Sequence, residues 1–181
     1  AGDKAEVPED AKAVFVNVPQ SDIKDEEYTA LTAYIDKGGY VILTTSVEFY
    51  NSEKTPNLVK LTKYMGLSST SNIVMDNSQD NYYQYPYYLL PVVQSAGIMT
   101  EIAQANYSVI SMLATAINTL EVENRTVNAL LKTSDKAFIY DESITDITKV
   151  EESTYAVGYQ SQIVNSETGE AAGTLVWFSS P

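Results

Sequence analysis

Residues 81–91 read Asn-Tyr-Tyr-Gln-Tyr-Pro-Tyr-Tyr-Leu-Leu-Pro and hold five of the chain's 14 tyrosines. Aromatic faces stack on sugar rings, and a phenol hydroxyl orients the ligand. Tyr82, Tyr83, Tyr85, Tyr87 and Tyr88 are therefore candidate ligand or partner contacts. The simpler reading is that the rings pin an irregular loop onto the domain or onto a partner, since aromatics are enriched at interfaces. Pro86 and Pro91 argue against regular helix or central strand across this stretch.

Other residues with chemical potential are weaker. Ser134 and Lys136, a pairing of a kind that some hydrolases use, are two apart and would share a strand face. Nothing apolar surrounds Lys136 to lower its pKa, so turn chemistry after a strand is the better account. Asp76-Asn77-Ser78-Gln79-Asp80-Asn81 offers alternating oxygens, but Asn81 stands where a calcium loop needs Gly and Tyr87 where it needs Glu. A solvated loop is expected there. The carboxylate pairs Glu26/Glu27, Glu121/Glu123 and Glu151/Glu152 lie in polar contexts, unlike the buried, cleft-bound pair of a glycosidase.

Composition removes whole classes of function. The chain has no Cys and no His, so thiolate chemistry, Cys–His zinc sites and a histidine base are absent. No glycine-rich phosphate loop and no Gly-x-Ser-x-Gly elbow occur. The connection after the first strand, Val18-Pro19-Gln20-Ser21-Asp22-Ile23, lacks glycine, so neither a dinucleotide nor a flavin has its phosphate cradle. No cofactor and no catalytic residue is assigned. With 11 basic against 24 acidic residues and a net charge of −13, the chain repels nucleic acid and anionic lipid. A first residue other than Met and an abrupt end after an apolar strand suggest an excised piece of a longer protein.

The elements that must position these residues begin with residues 13–18, an apolar run expected to be a buried strand ending at Pro19. Asp25-Glu26-Glu27 opens a helix with Tyr28, Leu31, Tyr34 and Ile35 on one face, and Gly38-Gly39 provides its left-handed exit. Val41–Thr45 is a second strand, completing a βαβ unit. Thr55-Pro56 predicts a capped helix with Leu58, Leu61, Tyr64 and Met65 buried. A turn-rich loop over residues 68–72 and a short strand over residues 73–75 follow. The stretch 109–140 is ambiguous between strand and helix, and its Thr and Val content favours strand. Residues 141–153 read as an exposed acidic turn region. The alternation over residues 155–163, a loop at Thr168-Gly169 and an apolar run over residues 174–179 predict an antiparallel hairpin. The expected architecture is α/β, a βαβ-based three-layer sandwich of the flavodoxin-like or class I glutamine amidotransferase-like kind. A flexible leader covers residues 1–10 and one domain residues 11–181.

In order, these segments resemble the extracytoplasmic domain of the ABC-type transport system auxiliary family, the GldG-like gliding-motility components. The matching pieces, over roughly residues 11–181, are Ala13–Val18, Asp25-Glu26-Glu27-Tyr28, Leu31-x-x-Tyr34-Ile35-x-x-Gly38-Gly39-x-Val41, Pro56-Asn57-Leu58, Tyr64-x-Gly66-Leu67 and Ile73-Val74-Met75-Asp76. Tyr87-Tyr88-Leu89-Leu90-Pro91, Gly97-Ile98-Met99-Thr100, Leu130-Leu131-x-Thr133-Ser134 and the closing Leu175–Ser180 complete the series. The family often has a His before the Ile-x-Thr step, where this chain has Ala96-Gly97, and a Ser at the helix cap, where Lys24 stands. The resemblance implies a bacterial domain held outside the cytoplasmic membrane by flanking transmembrane helices. It also implies association with an ABC permease and its ATPase, and no established catalytic residue. The alternative is a module binding carbohydrate or a peptidoglycan fragment through the tyrosine loop.

Overall fold

The structure is a computed structural model that describes residues 5–181. Its strands are β1 (Val14–Asn17), β2 (Tyr40–Thr44), β3 (Leu67–Asp76), β4 (Tyr88–Leu89), β5 (Val92–Val93), β6 (Ser111–Met112), β7 (Thr115–Thr119), β8 (Arg125–Lys132), β9 (Ala137–Ile139), β10 (Ala156–Val164) and β11 (Ala171–Phe178). The helices are α1 (Asp25–Asp36), α2 (Pro56–Tyr64) and the short α3 (Thr100–Gln104). A six-stranded sheet in the order β1-β2-β11-β10-β8-β5 carries the domain. β1, β2 and β11 are mutually parallel, and β10, β8 and β5 continue antiparallel. The fold is thus an α/β sandwich on a mixed sheet, with the expected C-terminal hairpin at its centre.

β11 shows why the sheet sits in the middle. Leu175 and Trp177 pack into one apolar cluster with Leu31, Ile35, Leu58 and Leu61 of the two long helices. Val176, between them, faces a second cluster with Val74, Met99, Ala116 and Leu130. Alternation along a pleat sends successive side chains to opposite faces, so a strand apolar at every position is covered on both sides.

β1 departs from the expectation of a buried strand. Among the described residues it is an edge strand paired only with β2, its Val14 and Val16 pack against the helical cluster, and Phe15 is 60% exposed. Apolar content alone does not distinguish an edge from a centre. Val18, at φ +42°, then turns the chain out of the sheet ahead of Pro19. The leader is described from Ala5 onward: Val7 packs against the helical cluster, and the Tyr34 hydroxyl donates to the Ala11 carbonyl.

The helix starts use different devices from those the sequence suggests. Glu27 accepts the Lys24 backbone N–H at 2.8 Å, one half of a capping box, so α1 begins without a Ser. At α2 the Thr55 hydroxyl does not cap; it donates to the Phe49 and Asn51 carbonyls. The free N–H groups of Asn57 and Leu58 are taken instead by the two carboxylate oxygens of Asp22, 2.8 and 3.0 Å away. An acidic side chain 35 residues upstream thus supplies the acceptor and the negative charge that a helix N-terminus favours. Asp22→Ala is expected to lower unfolding free energy by about 1–2 kcal/mol. Urea titration followed by circular dichroism measures it, and a change below a few tenths would remove Asp22 from the capping role.

The loop expected over residues 68–72 is instead part of the ten-residue strand β3. Its pairing with β7 slips between Ser69 and Ile73, which face Ile117 and Thr115. The Ser69 hydroxyl meets that of Thr115 at 2.5 Å, and the Thr70 hydroxyl accepts the Ala116 N–H at 3.1 Å. Turn-type residues here replace ladder bonds across a bulge, so the strand continues. The stretch 109–140 is strand throughout its regular parts, as its Thr and Val content suggests.

Tyr50 closes the helical core. Its ring lies 5.1 Å from Trp177, and its hydroxyl is 2.6 Å from that of Thr62. Burial pushes its pKa up to about 12, and the Thr62 hydrogen bond offsets part of that rise. A phenol that ionises near 10 when unfolded and near 12 when folded favours the folded state fully below pH 10. That contribution is lost as pH climbs from 10 to 12. Stability should therefore fall by on the order of 2 kcal/mol over that window, and Tyr50→Phe should flatten the fall. Urea midpoints across alkaline pH, compared between the two proteins, test this.

Candidate binding surface

The tyrosine loop is ordered by its own rings. Tyr85 and Tyr87 stack with centroids 5.4 Å apart, and Tyr88 meets both edge-on, at 5.5 and 4.9 Å. Backbone bonds fix the frame: the Tyr83 N–H donates to the Tyr88 carbonyl, and Leu90 to Asn81. Tyr82 bridges to Leu89, and β4 pairs Tyr88 with Met112 and Leu89 with Ser111 of β6. The prolines permit only this two-residue strand. Leu89 is the anchor, buried in the second apolar cluster.

All five candidate tyrosines are brought together, but not equally presented. Tyr82, Tyr87 and Tyr88 are half-buried, whereas Tyr83 and Tyr85 are about half exposed. Beside them stand exposed residues that single-residue reasoning passed over: Ile110, Met112 and Leu113. The Leu113 N–H donates to the Tyr87 carbonyl, which joins the two segments. A hydrophobic residue alternating outward from a short strand, Ile110 then Met112, was the available signal.

Beneath the loop, Asp76 corrects the expectation of a solvated oxygen-rich stretch. It is fully buried and accepts the Ser134 hydroxyl at 2.8 and 3.0 Å and the Ser78 N–H at 2.9 Å. Its own N–H donates to the Pro86 carbonyl, so it ties the loop to the turn after β8. Ser134 is thereby committed to Asp76. Lys136 lies exposed against Glu152, 3.1 Å away, and Glu152 and Asp135 raise its pKa, the direction opposite to that of a lysine base. Asn77 and Lys136 hold the Glu152 carboxyl below its usual range. Among the described residues, no group of three or more acidic side chains is arranged to hold a metal ion.

A separate surface cleft of about 1030 Å³ lies between the leader and the outer face of α1. Glu6, Val7, Thr29, Ala30, Ala33 and Tyr34 are among its walls. The tyrosine loop is not part of it.

What fold and surface define together is an α/β sandwich domain presenting a preorganised aromatic and aliphatic patch. Among solved structures, one described as "mmIFT52 N-terminal domain" is similar, with a TM-score of 0.62 and 19% sequence identity. The likeness covers 93% of this chain and 65% of that one, and at this identity it speaks for the fold. No family model and no curated protein matches the chain. No helix among the described residues is long and apolar enough to cross a membrane.

Proposed function

We propose that this chain is a non-catalytic extracytoplasmic domain of a membrane-anchored ABC-transport auxiliary of the GldG-like kind. In this reading it acts by docking the permease and ATPase subunits of its system or a transported solute. The observation that carries it is the order of the motifs from Ala13 to Ser180, set out above. The commitment of Ser134 to Asp76 and of Lys136 to Glu152 supports the non-catalytic part. The test takes the full-length gene product in its native cell. It should stay with membranes after an alkaline wash, be cut by protease added outside the cytoplasmic membrane, and co-purify with permease and ATPase subunits. A washed-off protein, a protected domain, or purification without transport subunits overturns the reading.

A second reading rests on the half-exposed rings of Tyr83 and Tyr85, which could bind a neutral glycan or peptidoglycan fragment by stacking. Calorimetric titration with soluble peptidoglycan fragments tests it. Binding lost in Tyr85→Ala supports a glycan site, and no heat at millimolar ligand rejects it.

A further inference from the structure

We propose that the open edge of β1 is a docking site for an extended segment of a partner protein, which adds to the sheet as a further strand beside Val14–Asn17. What β1 is made of does not fit where it lies. Val14, Phe15 and Val16 are apolar at every position, the pattern of a parallel strand covered on both faces, like Val41, Ile42 and Leu43 of β2 beside it. Yet β1 ends the sheet. Val14 and Val16 touch the helical cluster but are only half-buried, and Phe15, paired with Ile42 on the other face, is 60% exposed. Apolar side chains on both faces are left partly uncovered at one edge.

The two ends of the sheet differ. At the far end β5 is two residues long and follows Pro91, and shortness and proline both blunt an edge. Val14–Asn17 has neither charge nor proline, and its pairing with β2 runs without a bulge over all four residues. Among the described residues, no hydrogen bond links these four to any element other than β2. Their outer N–H and C=O groups are a row of unused backbone partners.

That row selects the occupant. Alternate residues of a strand turn both groups to the same side, a repeat of about 7 Å that another extended backbone matches. A helix has spent its backbone groups on itself, and a sugar lacks the repeat. Phe15 sets the side chains: an aromatic or β-branched residue packs best directly opposite it. Charge sets the flanks. The chain carries −13, so a segment ending in Lys or Arg is attracted and a second acidic copy is repelled. Four residues of strand span about 13 Å, so the contact is small and of the transient kind. The inference rests neither on the transport reading nor on the tyrosine loop.

Fluorescence anisotropy of a labelled, acetylated and amidated peptide, Lys-Thr-Val-Thr-Val-Thr-Lys, titrated with the purified chain is the test. Saturable binding with a Kd below about 1 mM is expected, weakened severalfold at low salt when Glu replaces both Lys. N-methylation of every Thr and Val keeps the side chains, removes the backbone donors, and should abolish binding. Amide exchange in Val14–Asn17 should slow at least tenfold at saturating peptide. Phe15→Lys, checked for native circular dichroism, should weaken binding at least tenfold, and Tyr85→Ala should leave it unchanged. No binding up to about 1 mM overturns the inference, and so does binding that survives N-methylation, which would be side-chain adhesion. Loss in Tyr85→Ala with retention in Phe15→Lys would move the site to the tyrosine loop. A dimer of the chain alone, dissolved by Phe15→Lys in sedimentation, would make a second copy the occupant and overturn it as well.

Discussion

Replacing Trp177 with Ala should lower the unfolding free energy by about 3–5 kcal/mol, the largest loss expected from any one side chain here. The ring is fully buried on β11, between β2 and β10. It packs against Tyr50, and its indole N–H donates to the Thr45 hydroxyl at 3.0 Å. Thr45 is itself buried, so the truncation opens a cavity and also strands a hydroxyl. Domains of this size have about 5–15 kcal/mol in total, so the variant approaches the point of unfolding. Trp177→Phe separates the two contributions: it keeps most of the packing and removes the donor, with an expected loss of about 1–3 kcal/mol. Urea unfolding followed by circular dichroism suits both, since the only Trp is gone in each. A loss below about 1 kcal/mol for Trp177→Ala would contradict a β11 at the centre of the sheet.

Gly173→Ala is the second large expected effect, and here the damage comes from an added atom. A Cβ on Gly173 would fall inside van der Waals distance of the Ile35 carbonyl, with the Ile35 side chain close behind. The obstacle is helix backbone, which cannot swing aside, at the point where the end of α1 rests on β11. The Thr174 N–H donates to the Gly39 carbonyl at this same crossing, 2.9 Å away. Overpacking usually costs about 1–3 kcal/mol; where the neighbour is rigid backbone the upper end or more applies. Relief requires α1 to lift from the sheet, which would loosen Leu31 and Ile35 as well. A lower urea midpoint with red-shifted Trp177 emission is the expected signature. Unchanged stability would mean that α1 and β11 are farther apart than this packing has them.

Much of the fold is legible residue by residue. The α1 face of Leu31 and Ile35, the α2 stripe of Leu58 and Leu61, and the hairpin of β10 and β11 all follow from local periodicity and turn signals. The mutual packing of Tyr85, Tyr87 and Tyr88 also follows, because two prolines leave the rings few other partners. Other features depend on residues far apart in the chain. Phe15 is exposed because it points to the face of edge strand β1 opposite Val14 and Val16, which reach the helical cluster. Ser69 and Thr70 look like turn residues, yet they become bulge ligands once β7 arrives beside them. Asp76 looks solvated until Ser134, 58 positions later, is brought over it.

The sequence by itself determined the α/β class, the places of the long helices, the C-terminal hairpin, and the absence of His, Cys and phosphate-loop chemistry. These depend on spacing and composition, which act within a few residues. Only the tertiary structure decided which strands lie at the edge, that Asp22 caps α2, and that Ile110, Met112 and Leu113 stand beside the tyrosines. Strand order and long-range pairing bring together residues far apart in the sequence, from Tyr88 and Met112 to Val41 and Leu175, and no local pattern encodes which of many apolar segments will be neighbours.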